Sequence, residues 1–215
     1  MQQEFWHNCW ENDRTGWHQD GCQPMLVEYF PKFWQTPDHR VFVPLCGKSE
    51  DLLFFAERGK VVGSELSARA CQQFFAENQL AYTRQAKHPF TLYQSKDIDI
   101  YQGDFFALQA AQFKPFDWIY DRAALIALPE SMRTDYVQHL ISFMGQKTRL
   151  FLLTLEFDQR EMAGPPFAIS AGLVHQLFAG FNIRQYAQRE LTDKVFAQRI
   201  LPLSQVRECL YIISR

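Results

Sequence analysis

The side chains best equipped for chemistry in this chain sit where apolar runs stop. Val41-Phe42-Val43-Pro44-Leu45-Cys46-Gly47-Lys48-Ser49 brings a β-branched and aromatic run to a turn containing Gly47, and Val61-Val62-Gly63-Ser64-Glu65-Leu66-Ser67 brings a second run to a carboxylate. Between them the pattern predicts a helical segment from Ser49 to Arg58, closed by Gly59. Strand, turn, helix, strand and acid in that order form one βαβ unit. In open nucleotide-binding sheets the first turn meets the charged part of the ligand, and an acid roughly 20 residues on receives ribose hydroxyls. Glu65 stands at that distance from Leu45.

Further polar groups end the later runs. Asp104 and Phe105 follow an expected strand over 98–102, Asp121 and Arg122 follow one over 116–120, and Glu156 ends the most apolar run, 149–156, which belongs in the centre of a sheet. Two last strands are expected over 183–187 and 209–213. Helices are expected over 4–11 and 24–33, from a Ser67 cap through Ala76, from Pro129 and Glu130 through Phe143, and over 170–178. Gly164-Pro165-Pro166-Phe167 must be irregular, because neither proline can donate to a ladder or sit inside a helix. Seven strands with helices between them predict a doubly wound α/β sheet whose last strand is antiparallel, in one domain spanning 1–215.

Composition narrows the partners. A formal charge of −2 and a pI near 6.3 give no basic footprint for nucleic acid. Five scattered cysteines, with no signal-like segment before the first, point to free thiols in a reducing cytoplasm. The longest apolar runs fall far short of the ~20 residues that cross a bilayer, so no membrane partner is expected. Aromatic residues reach 15%. Trp6, Trp10 and Trp17 crowd the N-terminus, where residues 1–35 read either as a helical segment clamped onto the core or also as a lid over an aromatic ligand.

In a doubly wound sheet the ligand lies outside the carboxyl ends of the strands. Those ends hold a ribose-type acid, a turn with one small residue, an apolar-polar pair suited to an adenine, and an arginine able to meet a carboxylate. The set fits S-adenosylmethionine better than a dinucleotide, whose pyrophosphate needs a glycine-rich turn. A phosphate-binding P-loop fails as well, since Phe42 stands where its first glycine belongs. His7, Cys9, His18 and Cys22 lack a zinc-binding rhythm, so no metal is expected. Cys46 has no histidine partner motif and reads as a small packed residue. Each functional residue also has a plain alternative: Glu65 as a helix N-terminal charge beside Ser67, Asp104 as a cap, and Arg122 as a surface ion pair with Asp121.

Trp10, the loop Gly16-Trp17-His18-Gln19, Pro44-Leu45-Cys46-Gly47-Lys48, Glu65-Leu66-Ser67, Phe74-Phe75-Ala76-Glu77-Asn78, Phe116-Asp117 with Tyr120-Asp121-Arg122, and Gly164-Pro165-Pro166-Phe167 together resemble the thiopurine S-methyltransferase family, especially its bacterial members. The resemblance spans nearly the whole chain. It implies a Rossmann-like class I S-adenosylmethionine-dependent methyltransferase fold with an N-terminal helical lid. It further implies methyl transfer from S-adenosylmethionine to the sulfur of aromatic or heterocyclic thiols such as thiopurines, in a cytoplasmic monomer with a small-molecule thiol as partner. By the family's motifs, Trp10, Leu45, Glu65 and Arg122 would contact the donor, with Asp104 and Phe105 bordering its adenine. Trp17, where phenylalanine is usual, would lie beside the acceptor, with Arg199 as a looser counterpart of a family arginine there. No residue is assigned as a general base. Ser64, Tyr120 and Ala123 depart from the usual valine, tryptophan and glycine. Two other readings stay open: an enzyme on the same scaffold methylating selenium, tellurium, halide or thiocyanate acceptors, and a non-catalytic S-adenosylmethionine-binding module.

Overall fold

The computed structural model describes residues 3–34 and 39–215. Two compact units emerge from the backbone contacts, Gln2–Gln112 and Phe113–Arg215. The first contains α1 (Gln3–Glu11), α2 (Pro24–Tyr29), β1 (His39–Val43), α3 (Asp51–Ala56), β2 (Gly59–Glu65), α4 (Ala68–Glu77), β3 (Thr83–Lys87), β4 (Phe90–Gln94) and β5 (Ile98–Gln102). Its strands lie in the order β3-β4-β5-β2-β1. β1 runs parallel to β2 and β2 parallel to β5, so the carboxyl ends of all three fall on one edge. Val41, Phe42, Val43, Val61 and Val62 are buried, as strands covered on both faces require.

The helices of this unit are set by local polar chemistry. Ser67 caps α4, its hydroxyl accepting from the Ala70 amide at 3.3 Å. The Gln23 side chain caps α2 by accepting from the amides of Met25 and Leu26. The Gln23 backbone N–H donates to the buried Asp51 carboxylate at 2.7 Å, tying the N-terminal segment to the start of α3. That helix covers residues 51–56, shorter at both ends than the sequence predicts, because the residues after Gly47 are used in turns. Likewise α2 stops at Tyr29 and continues only as a 3-10 turn, Phe30–Lys32.

The second unit contains β6 (Trp118–Arg122), α5 (Glu130–Ser142), β7 (Arg149–Glu156), α6 (Ala171–Leu177), β8 (Asn182–Glu190), β9 (Val195–Phe196), β10 (Arg199–Ile200) and β11 (Arg207–Ser214). Its main strands run β6-β7-β11-β8. β6 and β7 are parallel, and β11 is antiparallel to both β7 and β8, as expected for the last strand. β7 is buried from Leu150 to Leu155 and lies between two partners, the central place its composition predicts.

Among the described residues eleven strands stand where the sequence predicts seven. The four additions are the β3–β4 hairpin, which continues the sheet antiparallel to β5, and the two-residue pair β9–β10. β3 reads Thr-Arg-Gln-Ala-Lys with every residue exposed, so no apolar alternation marks it; its ladder to β4 makes it a strand. β6 also begins two residues later than expected, at Trp118, so Asp121 and Arg122 belong to the strand and do not follow it. Before Trp118 the backbone is taken by other partners, with the Phe116 carbonyl accepting from the Thr148 hydroxyl at 2.6 Å.

Candidate functional site

In the first unit the turn after β1 and the end of β2 are built into each other. Glu65 is buried, and its two carboxylate oxygens each accept one backbone N–H, from Ser67 at 2.7 Å and from Gly47 at 2.8 Å. Each oxygen keeps a further lone pair. Burial pushes the carboxyl's pKa up, and backbone N–H groups from Ser67, Gly47 and Leu66 oppose that rise. Glu65 thus braces both the residue that caps α4 and the turn after β1.

That turn carries two left-handed residues, Leu45 (φ 47°) and Gly47 (φ 56°). A non-glycine residue there is strained, and such strain collects at functional sites. Ser64 offsets it, because its hydroxyl accepts from the Leu45 amide at 3.3 Å. Gly47 meets a second constraint besides its φ: a Cβ there would come 3.3 Å from the Trp10 ring. Beneath the turn, a Cβ on Gly63 would fall 2.7 Å from the Cys46 sulfur. Cys46 is buried, with its thiol pushed well up by burial and by the Glu65 charge. It stays protonated and inert as a nucleophile. Lys48 pairs with Glu77 of α4 at 2.6 Å.

Trp10 is 3% exposed, and its ring lies 5.9 Å from that of Trp17 in an edge-to-face arrangement. Trp6 meets Trp17 the same way at 5.1 Å. Asp13, just past α1, receives two contacts from Arg69 of α4, at 2.8 and 3.0 Å. The strand ends are linked again at β5, where the Gly103 amide donates to the Glu65 carbonyl at 2.9 Å. Asp104 does act as a cap, accepting from the Phe106 amide at 3.0 Å. Phe105 is buried with its ring 6.2 Å from Phe42 and nearly parallel to it, so it is a core side chain at the sheet edge. The structure thus brings Trp10, Leu45 and Glu65 together through Gly47, Trp17 through Trp10, and Asp104 through the β5–β2 link.

In the second unit Asp121 is wholly buried and points inward, accepting from the Leu125 amide at 3.1 Å and the Tyr136 hydroxyl at 2.8 Å. Burial lifts its pKa to about 6. It is not a surface partner of Arg122. The guanidinium of Arg122 instead lies over the Phe196 ring, 5.5 Å from its centroid. Ala123, next in sequence, has φ 63°, in the left-handed region that glycine adopts without strain. Tyr120 is buried and packs on Phe151, with ring centroids 5.8 Å apart. Arg199 reaches the Pro165 carbonyl at 3.1 Å, so the β9–β10 hairpin touches the Gly164-Pro165-Pro166-Phe167 loop. Among the described residues no three His, Cys, Asp or Glu side chains converge as metal ligands, and no helix is long and apolar enough to cross a membrane.

A single-glycine turn braced by a buried acid suits a nucleoside that carries no phosphate. The family model for thiopurine S-methyltransferase matches residues 1–215. A thiopurine S-methyltransferase from Shewanella baltica is 41% identical, covering the whole of both chains. The chain belongs to the thiopurine S-methyltransferase family. A second relative bearing that name, from Marinobacter nauticus, is 39% identical over 93% of this chain and 92% of its own. Among solved structures, an S-adenosylmethionine-dependent methyltransferase from Anabaena variabilis matches with a TM-score of 0.72 at 14% identity, covering 99% of this chain and 94% of that one. Magnesium protoporphyrin IX methyltransferase from Synechocystis, solved with S-adenosylmethionine bound, matches with a TM-score of 0.66 at 14% identity, over 99% and 97% of the two chains. This thiopurine S-methyltransferase family member therefore has the class I methyltransferase fold and is an S-adenosylmethionine-dependent methyltransferase acting on sulfur.

Sequence reasoning on the family's residues missed three parts of the geometry. The Gly47 and Ser67 amides on Glu65 are backbone groups and leave no trace in side-chain type. Tyr136 under Asp121 is a contact across 15 residues of chain. Phe196 under Arg122 had one signal available, a lone aromatic in the polar run Asp193-Lys194-Val195-Phe196-Ala197-Gln198-Arg199.

Proposed function

We propose that the protein transfers the methyl group of S-adenosylmethionine to the sulfur of aromatic or heterocyclic thiols, thiopurines among them. The observation that carries this reading is Glu65, held by two backbone amides at the edge of β2 beside a turn with one glycine. Its remaining lone pairs suit the two ribose hydroxyls, and the turn offers no glycine-rich cradle for phosphate. Trp10 and Leu45 then lie against the donor, Asp104 and Phe105 border its adenine, and Arg122 meets its carboxylate. Trp17 and Arg199 stand beside the acceptor. Residues 1–35 serve as a lid held by Trp10 and Asp13, and the chain works as one cytoplasmic, monomeric unit on a small-molecule acceptor.

The donor supplies an electrophilic methyl on a cationic sulfonium. Attack by the acceptor's sulfur in line with the breaking bond forms the new carbon–sulfur bond, and the bonding pair leaves with S-adenosylhomocysteine. An aromatic thiol is largely ionised at neutral pH, so the chain's task is positioning, a contribution that reaches roughly 7 to 11 kcal/mol when reacting atoms are held about 3 to 3.5 Å apart. Aromatic rings near the sulfonium add about 0.5 to 2 kcal/mol of attraction that fades as the methyl leaves, and so favour binding over rate. Arg122 or Arg199 favours the thiolate.

Titration with S-adenosylmethionine and S-adenosylhomocysteine, followed by a labelled-methyl panel of thiopurines, other aromatic thiols, selenium and tellurium oxyanions, halides and thiocyanate, tests the proposal. Saturable binding with transfer to aromatic thiols is expected. Failure to bind either nucleoside, or transfer confined to the inorganic acceptors, would overturn it. Trp17→Ala is expected to raise KM for the thiol with little change in donor affinity; the reverse pattern moves Trp17 to the donor.

A further inference from the structure

The β9–β10 hairpin is almost all exposed, with Ile200 at 78%, yet Phe196 within it is 6% exposed. Val195 pairs with Ile200 and Phe196 with Arg199, so the tight turn between them sends one aromatic ring inward from an otherwise solvated arm. The arm is held at several points. Lys194 donates its amide to the Leu191 carbonyl and Leu201 donates to that of Lys194, both at 2.9 Å, while Arg199 is anchored on Pro165. Lys194 and Ala197 adopt left-handed conformations, at φ 56° and 53°. Two strained non-glycine residues in so short a hairpin mark a shape held by its surroundings. What this shape delivers is the Phe196 ring beneath the guanidinium of Arg122, 5.5 Å from centroid to carbon and inside the range of a cation–π contact.

We propose that Phe196 is a positioning residue for Arg122, fixing the guanidinium for the carboxylate of the donor; this rests on the reading that Arg122 contacts the donor. The ring holds the guanidinium carbon at 5.5 Å from its centroid, while a carboxylate meets a guanidinium through its N–H groups in a two-point bond. The ring also restricts a long side chain whose ordering would otherwise oppose binding. The hairpin thus becomes part of the donor's carboxylate clamp.

The test is calorimetric titration of the full chain with S-adenosylhomocysteine, which carries the same carboxylate. Parent, Arg122→Ala, Phe196→Leu, Phe196→Tyr and the Arg122→Ala/Phe196→Leu pair are compared, each checked by its melting midpoint. Arg122→Ala is expected to weaken binding about tenfold or more. Phe196→Leu, which keeps apolar volume without a π face, is expected to weaken it about three- to tenfold, and Phe196→Tyr is expected to retain parent affinity. On the Arg122→Ala background Phe196→Leu should have no further effect. If Phe196→Leu does not fold, Phe196→Met takes its place. An unchanged affinity in the ring-less variant, or an equal loss on both backgrounds, overturns the role of Phe196. An Arg122→Ala protein that binds like the parent overturns the reading of Arg122 itself, and the inference with it.

Discussion

Replacing Glu65 with glutamine should separate the two tasks of that side chain. In the parent, one carboxylate oxygen accepts from Ser67 at 2.7 Å and the other from Gly47 at 2.8 Å. Glutamine offers one acceptor oxygen and an amide nitrogen that can only donate, so one of these backbone N–H groups loses its partner. A buried donor left unsatisfied costs about 1–3 kcal/mol. An opposing contribution comes from the charge: burial already raises the Glu65 pKa despite the neighbouring backbone N–H groups, and a neutral amide escapes that penalty. The net loss of stability should therefore be at most about 2 kcal/mol, a fall of roughly 2–4 °C in melting midpoint per kcal/mol. Donor affinity should respond more strongly. Hydrogen bonds to a charged acceptor contribute about 1.5–3 kcal/mol, so losing one from a ribose hydroxyl raises Kd about tenfold to a hundredfold. Calorimetric titration with S-adenosylmethionine and S-adenosylhomocysteine reads this directly, and both should weaken alike because they share the ribose. A Kd within twofold of the parent in a folded Glu65→Gln protein would refute the ribose assignment. So would a loss confined to S-adenosylmethionine, which would tie Glu65 to the sulfonium charge.

Two further outcomes follow from strain and burial. Ala123 has φ 63°, where a Cβ costs roughly 1–2 kcal/mol, against about 0.5–1 kcal/mol of extra chain entropy for glycine; Ala123→Gly should therefore raise the melting midpoint by roughly one to three degrees, and a clear fall would show that the conformation is not strained. Asp121 has a folded pKa of about 6 against an ordinary 3.8, so the folded chain holds its proton more tightly than the unfolded one. Its contribution to stability is present below pH 4 and is lost as pH rises through 6, by roughly 3 kcal/mol for a gap of that size. Melting curves of parent and Asp121→Asn from pH 4 to 7.5 should show the parent losing ground to the variant over that window, and a constant difference would refute the burial of the charge.

What the chain reveals in one dimension follows the range of each interaction. Ser67 as the cap of α4 was legible because hydroxyl, helix start and the amide it accepts from lie within three residues. β7 was legible because an apolar run interrupted only by Thr154 has one place in a sheet covered on both faces. β3 was not, since all five of its side chains face solvent and only its backbone ladder to β4 defines it. The position of Glu65 could be read from its spacing to Leu45, but the state of its oxygens could not, because both partners are amides and amides are common to nearly every residue. Asp121 shows the same limit from the other side. Placed after a strand, it reads as a surface partner for Arg122; β6 instead runs on through Arg122 and buries Asp121, where Tyr136 meets it.

Two of the residues that the resemblance sets apart make sense together once the backbone is known. Leu45 and Ala123 are both held left-handed, one in the turn that Glu65 braces and the other directly after Arg122. At the first, the Ser64 hydroxyl accepts from the Leu45 amide, so the chain offsets the strain with a bond. At the second, the chain keeps alanine and carries the strain, while the neighbouring carboxylate is fixed by Leu125 and Tyr136. Strain of this kind persists only where surroundings over-determine the backbone. Both substitutions therefore bear on how firmly each unit holds its strand end rather than on which groups a ligand meets. Tyr120, buried against Phe151, likewise affects packing behind β6. Of the residues that differ from the family's pattern, Trp17 remains as the one whose ring lies in the N-terminal aromatic group with Trp6 and Trp10, and selectivity among thiol acceptors is accordingly expected to respond to Trp17 before any of the others.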